Sequence, residues 1–442
     1  MLYEILNART RSERLAALTE LMKTDPPDPT TETAGEEVNN HVHTIYSFSP
    51  YSPTMVAYLA RRSGLRVVGS IDHDSVGAAR EMIEAAKLAG IGSTVGCEIR
   101  AGFTDTPFES RRLNSPDSLG IAYVVLHGIP VDSLETVDEF LRPIRESRNV
   151  RNRLMVDRLN TICLEWDIEP IDFERDVWPV SQADDGGTIT ERHLLYVLAG
   201  KLIQVHGTGN RLIAFLEGEA ACRPSPATRN FLADTDNPHY RYDLLGLLKT
   251  ELLQRIYVEP GRSECPPVTQ VVRMAQTTGA ILAYPYLGDV TASPTGDKRP
   301  DSFEDSYLDE LIEKLAPMGF NAVTYMPPRN TMEQLRRVQT LCREHGLMEI
   351  SGVDINSSRQ SFRCEEIHEP GFHHLVDTTW ALVAHEKLAS ADPDLALFAR
   401  GNPFAGDPLP KRLARYSEIG RRIDSRRPED AIDLLDRNEC KG

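Results

Sequence analysis

Two histidines, His41 and His43, stand two residues apart in the stretch HVHT at 41–44. On an extended strand, residues i and i+2 face the same side, so the two imidazoles would lie side by side, as a metal site requires. Such a pair also suits a plain surface, and its weight comes from the strand ends farther along the chain. Ile71-Asp72-His73-Asp74 closes a β-branched run, Glu98 sits in VGCEIR, and His127 ends AYVVLHG. A single strand-end His or Asp often does no more than hydrogen-bond a loop. Four successive strand ends carrying His, Asp or Glu instead describe a polar cluster at one mouth of a sheet. Imidazoles and carboxylates together suit manganese, iron or zinc. One or two such divalent ions would lower the pKa of a bound water and polarise a phosphoryl or carbonyl oxygen. Asp72 and His73 are then candidate general acids or bases.

The elements that must position these residues can be read from periodicity. Leu2, Ile5, Leu6, Leu15, Leu18 and Leu21 are spaced for helices, and the acidic, proline-rich DPPDPTTETAGEE follows, so 1–37 reads as a helical extension and linker. From 38 to 133 strand-like and helix-like segments alternate: a strand at 38–43, a helix at 54–63, a strand at 66–71, a helix at 76–89, then strands at 93–100 and 121–127. That alternation predicts βαβ units and a parallel sheet, hence an α/β fold. Residues 134–253 contain helix-forming stretches at 150–166, 191–205 and 242–257, which read as a helical insertion. Alternation resumes over 254–378, and 379–442 reads as a charged helical extension.

Acidic residues outnumber basic ones by 66 to 49, a net charge of −17, and there is no basic groove interleaved with stacking aromatics. Nucleic acid is therefore not an expected partner, because grip on phosphate backbones comes from lysine and arginine. A small anionic substrate stays open, since a local group of cations or metals can invert the field in a cleft. The seven cysteines are scattered, without a CxxC pair, as expected of reduced thiols. With no apolar run long enough to span a bilayer and no secretion-type start, a cytoplasmic location is expected and a membrane partner is not. Oligomeric state is not legible.

The order of these residues, with GLRVVGSIDHDSVGA at 64–78, resembles the polymerase and histidinol phosphatase (PHP) family of metal-dependent phosphoesterases, over roughly 38–130 and 260–360. The resemblance implies a distorted seven-stranded (β/α) barrel with up to three divalent metals at one mouth. It implies a first metal on His41, His43, Glu98 and Asp354, with Glu98 bridging to a second on His127. Three positions depart from the pattern. Phe48 stands where an aspartate is usual, Tyr284 where a histidine is usual, and Asn356 closes a D-x-H motif that here reads Asp354-Ile355-Asn356. The third metal would keep only His73, so one or two ions are expected rather than three. Tyr284 becomes a candidate hydrogen-bond donor to substrate or an ordinary core-edge residue.

GTITERHLL at 187–195 resembles the segment where related phosphatases begin a helix that caps the cleft. Thr190 is a plausible N-cap, which puts Arg192 and His193 in a first turn whose amides favour anions. Arg329, and Lys298 with Arg299, are weaker candidates on loops, and His368, His373 and His374 read as surface or core histidines. The expected activity is a metal-dependent hydrolase, foremost a phosphoesterase acting on a small phosphorylated molecule through an activated water. The alternatives are a hydrolase or lyase on a non-phosphate substrate, and a degenerate barrel used only for binding.

Overall fold

The computed structural model describes residues 2–24, 36–115, 118–290 and 302–435. Lys298, Arg299 and most of the acidic linker lie outside them. Seven strands form one sheet in sequence order: β1 (Glu37–Val42), β2 (Leu65–His73), β3 (Gly92–Gly102), β4 (Ile121–His127), β5 (Ile281–Pro285), β6 (Ala322–Tyr325) and β7 (Met348–Ser351). The ends meet. Just beyond β7, Ile355 bridges Val42 of β1, and the Asn40 side chain donates to the Ser351 carbonyl across the seam. The result is the nearly closed α/β barrel that the alternation and the resemblance imply.

One strand departs from the expected parallel sheet. β4 runs antiparallel to both β3 and β5. The reason is the connection: among the described residues of 103–120 there is no helix to carry the chain back along the barrel, and a strand that comes next without a crossover returns in the opposite sense. The remaining neighbours pair in parallel.

Helices α1 (Leu2–Leu6) and α2 (Arg11–Thr24) dock on the barrel, where buried Arg14 donates to Glu81 at 2.8 Å. Helix α3 (Pro53–Arg62) starts where the Ser52 hydroxyl accepts from the Met55 amide with proline at the first position; α4 (Ala79–Ala89) stops at left-handed Gly90. The long α5 (Leu134–Glu165) begins well before the expected 150 and continues through Pro143, a residue that usually ends a helix. With α6 (Glu191–His206), α7 (Asn210–Glu217), α8 (Pro226–Ala233) and α9 (Tyr240–Ile256), its second half encloses a hydrophobic cluster distinct from that of the barrel. Then α10 (Val268–Thr278), α11 (Leu308–Met318) and α12 (Met332–His345) alternate with the last strands. Helix α13 (His374–Ala391) is buried along most of its length, and α14 (Leu409–Arg422) packs on it. Both contribute to the barrel's own core.

Among the described residues six cysteines are buried and unpaired, and no helix is long and apolar enough to cross a membrane.

Candidate metal centre and its cleft

Strand β1 carries His41, and His43 lies one residue past its end, their rings 5.1 Å apart between centroids. The loop after β1 is clamped by Asp72. Its carboxylate accepts from the Thr44 amide and hydroxyl, both at 2.7 Å, and from the Ser47 hydroxyl at 2.6 Å. Ser47 Oγ also lies 3.2 Å from His43 Nδ1, which leaves Nε2 facing the cluster. Asp354 arrives from the far end of the fold. His43 donates its amide to the Ile355 carbonyl, Ile355 donates to His41, and Asp354 Oδ1 comes within 3.2 Å of His43 Nε2. His73 closes β2 in register with Glu98 on β3, and its Nδ1 is 2.9 Å from Glu98 Oε2.

Two groups result, His41–His43–Asp354 and His43–His73–Glu98, each with ligand atoms within 4.8 Å of one another. Burial would raise the Glu98 carboxyl, but His73, His41 and His43 outweigh it and hold the group down at about 2. Asp354 is likewise held well below the usual range against burial, by His43 and His41. Burial pushes His41 down, whereas His43, also buried, is raised because Asp354 adjoins it. Burial and neighbouring His41 push His127 down to about 3. Neither ring nitrogen of His127, nor Nε2 of His41, has a hydrogen-bond partner. Buried polar atoms are normally satisfied, so neutral imidazoles left with open nitrogens beside two ionised carboxylates fit a divalent cation.

The cleft beside this cluster is lined by His43, Phe48, His73, Arg100, Tyr123, Arg148, Glu191, Arg192 and Asn356 among others. Its arginines are paired. Glu264 is held by Arg100 at 3.2 Å, Arg148 at 3.3 Å and Arg151 at 2.6 Å, while Arg148 also reaches Asp74 at 3.0 Å. Three buried guanidiniums thus share Glu264 and Asp74, and Glu191, which also lines the cleft, is held well below the usual carboxylate range against burial by Lys249, Arg100 and Arg148. Arg100 Nε donates to Tyr123 Oη at 2.9 Å, its cross-strand partner, whose ring lies 5.6 Å from that of His73.

The structure brings His41, His43, His73, Glu98 and Asp354 together. His127 is close enough to be perturbed by His41 and Glu98, but it lies outside both groups. Asp72, expected as an acid or base, instead spends both oxygens on the loop after β1. Tyr284 is turned away from the cluster. Glu98, Val125 and Ala283 are paired across β3, β4 and β5 and share a face, so the next residue, Tyr284, takes the opposite one. Its hydroxyl sits between the Asn114 amide and Glu304.

Arg192 lines the cleft, but His193 does not reach it. Its Nδ1 accepts from the Thr190 amide at 3.0 Å in a capping box, and burial lowers its pKa to about 3. Arg329 is placed elsewhere, donating to the Leu287 carbonyl. His368 and His374 pair with Glu37 and Glu349 away from the cluster.

Sequence reading passed over Arg100, Tyr123, Arg148 and Glu264. Arg100 was findable, being two residues beyond Glu98 on the same strand face, and so was Tyr123, four before His127. Arg148 and Glu264 carry no local signal.

No family model matches the sequence, and no curated protein matches it. Among solved structures, the chain is similar to a protein from Bifidobacterium adolescentis provisionally assigned as a metal-dependent phosphoesterase, at 20% identity and TM-score 0.48, covering 74% of this chain and 90% of that one. It is also similar to an amidohydrolase from Chromobacterium violaceum with bound sulfate and no metal, at 16% identity and TM-score 0.47, covering 74% and 89%.

Proposed function

We propose that the protein is a metal-dependent hydrolase whose substrate is a small phosphorylated molecule. One juxtaposition carries this reading: a buried cluster of histidines and carboxylates with open imidazole nitrogens, at the foot of a cleft lined by Arg100, Arg148 and Arg192 together with Glu191. His41, His43, Asp354, Glu98 and His73 would hold one or two ions, with His127 beside them. Bound there, manganese, iron or zinc would lower the pKa of a water and polarise a phosphoryl oxygen.

The chain's own groups supply the rest. Ser47 orients His43 by occupying Nδ1, and Asp72 holds Ser47 in place. Arg100 and Arg148 are fixed in advance by Glu264 and Asp74, so they meet an anion without reorganising. The helical insertion covers one side of the cleft and limits water, which strengthens those charge interactions.

The test is elemental analysis of the wild type and of the His41→Ala/His43→Ala double variant, followed by a phosphoester panel. Expected are one or two transition metals per wild-type chain, their loss from the variant, and hydrolysis only by the loaded protein. A wild type that remains empty after reconstitution with manganese, iron and zinc overturns the reading. A second reading keeps the metal but takes a non-phosphate substrate, favoured by the fact that Arg100 and Arg148 already have carboxylate partners. Metal binding with no turnover across the phosphoester panel would select it.

A further inference from the structure

Phe48 occupies a position from which it cannot ligate, and the structure gives it a different neighbourhood. It lies just past Ser47 in the loop clamped by Asp72, yet its side chain, 7% exposed, belongs to the hydrophobic cluster of the helical insertion and not to that of the barrel. Its ring meets His193 at 4.9 Å, Tyr196 at 5.5 Å and Tyr242 at 6.2 Å, all edge-on and all from α6 and α9. The Arg192 guanidinium lies 5.3 Å from the same ring and lines the cleft. Two residues earlier, the Tyr46 carbonyl accepts from the Thr188 amide at 2.7 Å, so the loop is tied to the insertion by backbone as well.

The Phe48 backbone is in the left-handed region, with φ at 89°. A bulky residue is an outlier there, and it persists only where its surroundings over-determine it. The conformation turns the side chain up into the insertion, away from the barrel strand that precedes it.

We propose that Phe48 is a positioning residue: it seats the helical insertion over the metal centre and holds Arg192 facing the cleft as an anion contact. The seating half stands on packing alone, whereas the anion half rests on the phosphate reading of the site. Cation–π contact with a partly desolvated ring fixes the guanidinium laterally. The same loop carries Ser47, the partner of His43, so seating of the insertion and orientation of a metal ligand are joined within two residues.

Two measurements on Phe48→Ala, Phe48→Leu and Phe48→Tyr test this. Hydrogen exchange by mass spectrometry should show faster exchange in 190–204 and 240–248 for Phe48→Ala, with β2 and β3 unchanged. Phe48→Leu keeps the apolar bulk, so its exchange should stay nearer the wild type, and Phe48→Tyr should match it. Titration of the manganese-loaded proteins with inorganic phosphate should show roughly tenfold weaker binding for Phe48→Leu and for Arg192→Ala, with little further loss in the double variant. Phe48→Tyr should restore wild-type affinity. Unchanged exchange in Phe48→Ala overturns the seating, and additive losses in the double variant overturn the coupling to Arg192. Absence of phosphate binding by the wild type would remove the phosphate reading and the anion half with it, while exchange still decides the seating.

Discussion

Nε2 of His43 lies 3.2 Å from Oδ1 of Asp354, a contact between the residue just past the first strand and the turn just past the last one. It exists because Ile355 exchanges backbone hydrogen bonds with His41 and His43 as the barrel closes. Closure and site assembly are therefore one event, and whatever loosens the seam between β1 and β7 should loosen the candidate metal centre.

Asp72 provides a direct check on positioning against catalysis. Asp72→Asn should weaken metal affinity by about 10–100-fold, as loss of a group behind a ligand typically does. Competition titration against a chelator measures this. At saturating metal, turnover should return to near the wild-type rate. A rate that stays low at full occupancy would mean that Asp72 acts on substrate itself.

Tyr284→Phe should leave turnover within about twofold of wild type, because the ring faces Asn114 and Glu304 and not the cluster. Stability should fall by about 1 kcal/mol for the lost hydrogen bond. Steady-state kinetics and urea unfolding on the same preparation test both halves, and a large drop in kcat would put the hydroxyl in the reaction.

Arg148 joins Asp74 to Glu264 at 2% exposure. Arg148→Met would leave two buried carboxylates short of their shared cation, and breaking a buried pair in this way costs about 3–5 kcal/mol. The denaturation midpoint should fall accordingly. A variant as stable as the wild type would show that Arg100 and Arg151 suffice to hold Glu264.

Glu304 is fully buried, and burial pushes its pKa up to about 7, although the Leu287 and Gly288 amides donate to it. A folded-state pKa above the unfolded value means that stability is intact below about pH 4.5 and declines as pH rises through about 7. The loss should reach about 3 kcal/mol above pH 8. Urea unfolding at pH 5 and pH 8 should show it in the wild type, and Glu304→Gln should flatten the difference. An equal pH dependence in the two proteins would sink the assignment.

Alternation along the chain was enough to announce an α/β fold, and the strand pattern was enough to place His41, His43 and His73 at strand ends, whereas Glu98 lies in the middle of β3. These are local properties: side-chain direction repeats every two residues on a strand, and the β-branched runs specify strands wherever they fall. The same rule would have yielded Arg100 and Tyr123. It did not reveal that β4 runs backwards, because strand sense depends on the connection between strands and leaves no mark in the strand itself. Nor did it show that Tyr284 faces outward, since face is assigned only once the register with β4 is known. Arg148, Glu264 and the pairing of Phe48 with the insertion join segments far apart in sequence, and such contacts are chosen by packing after the chain has closed. The candidate ligands were thus written locally, whereas the charge of the cleft and its cover were decided by tertiary structure alone.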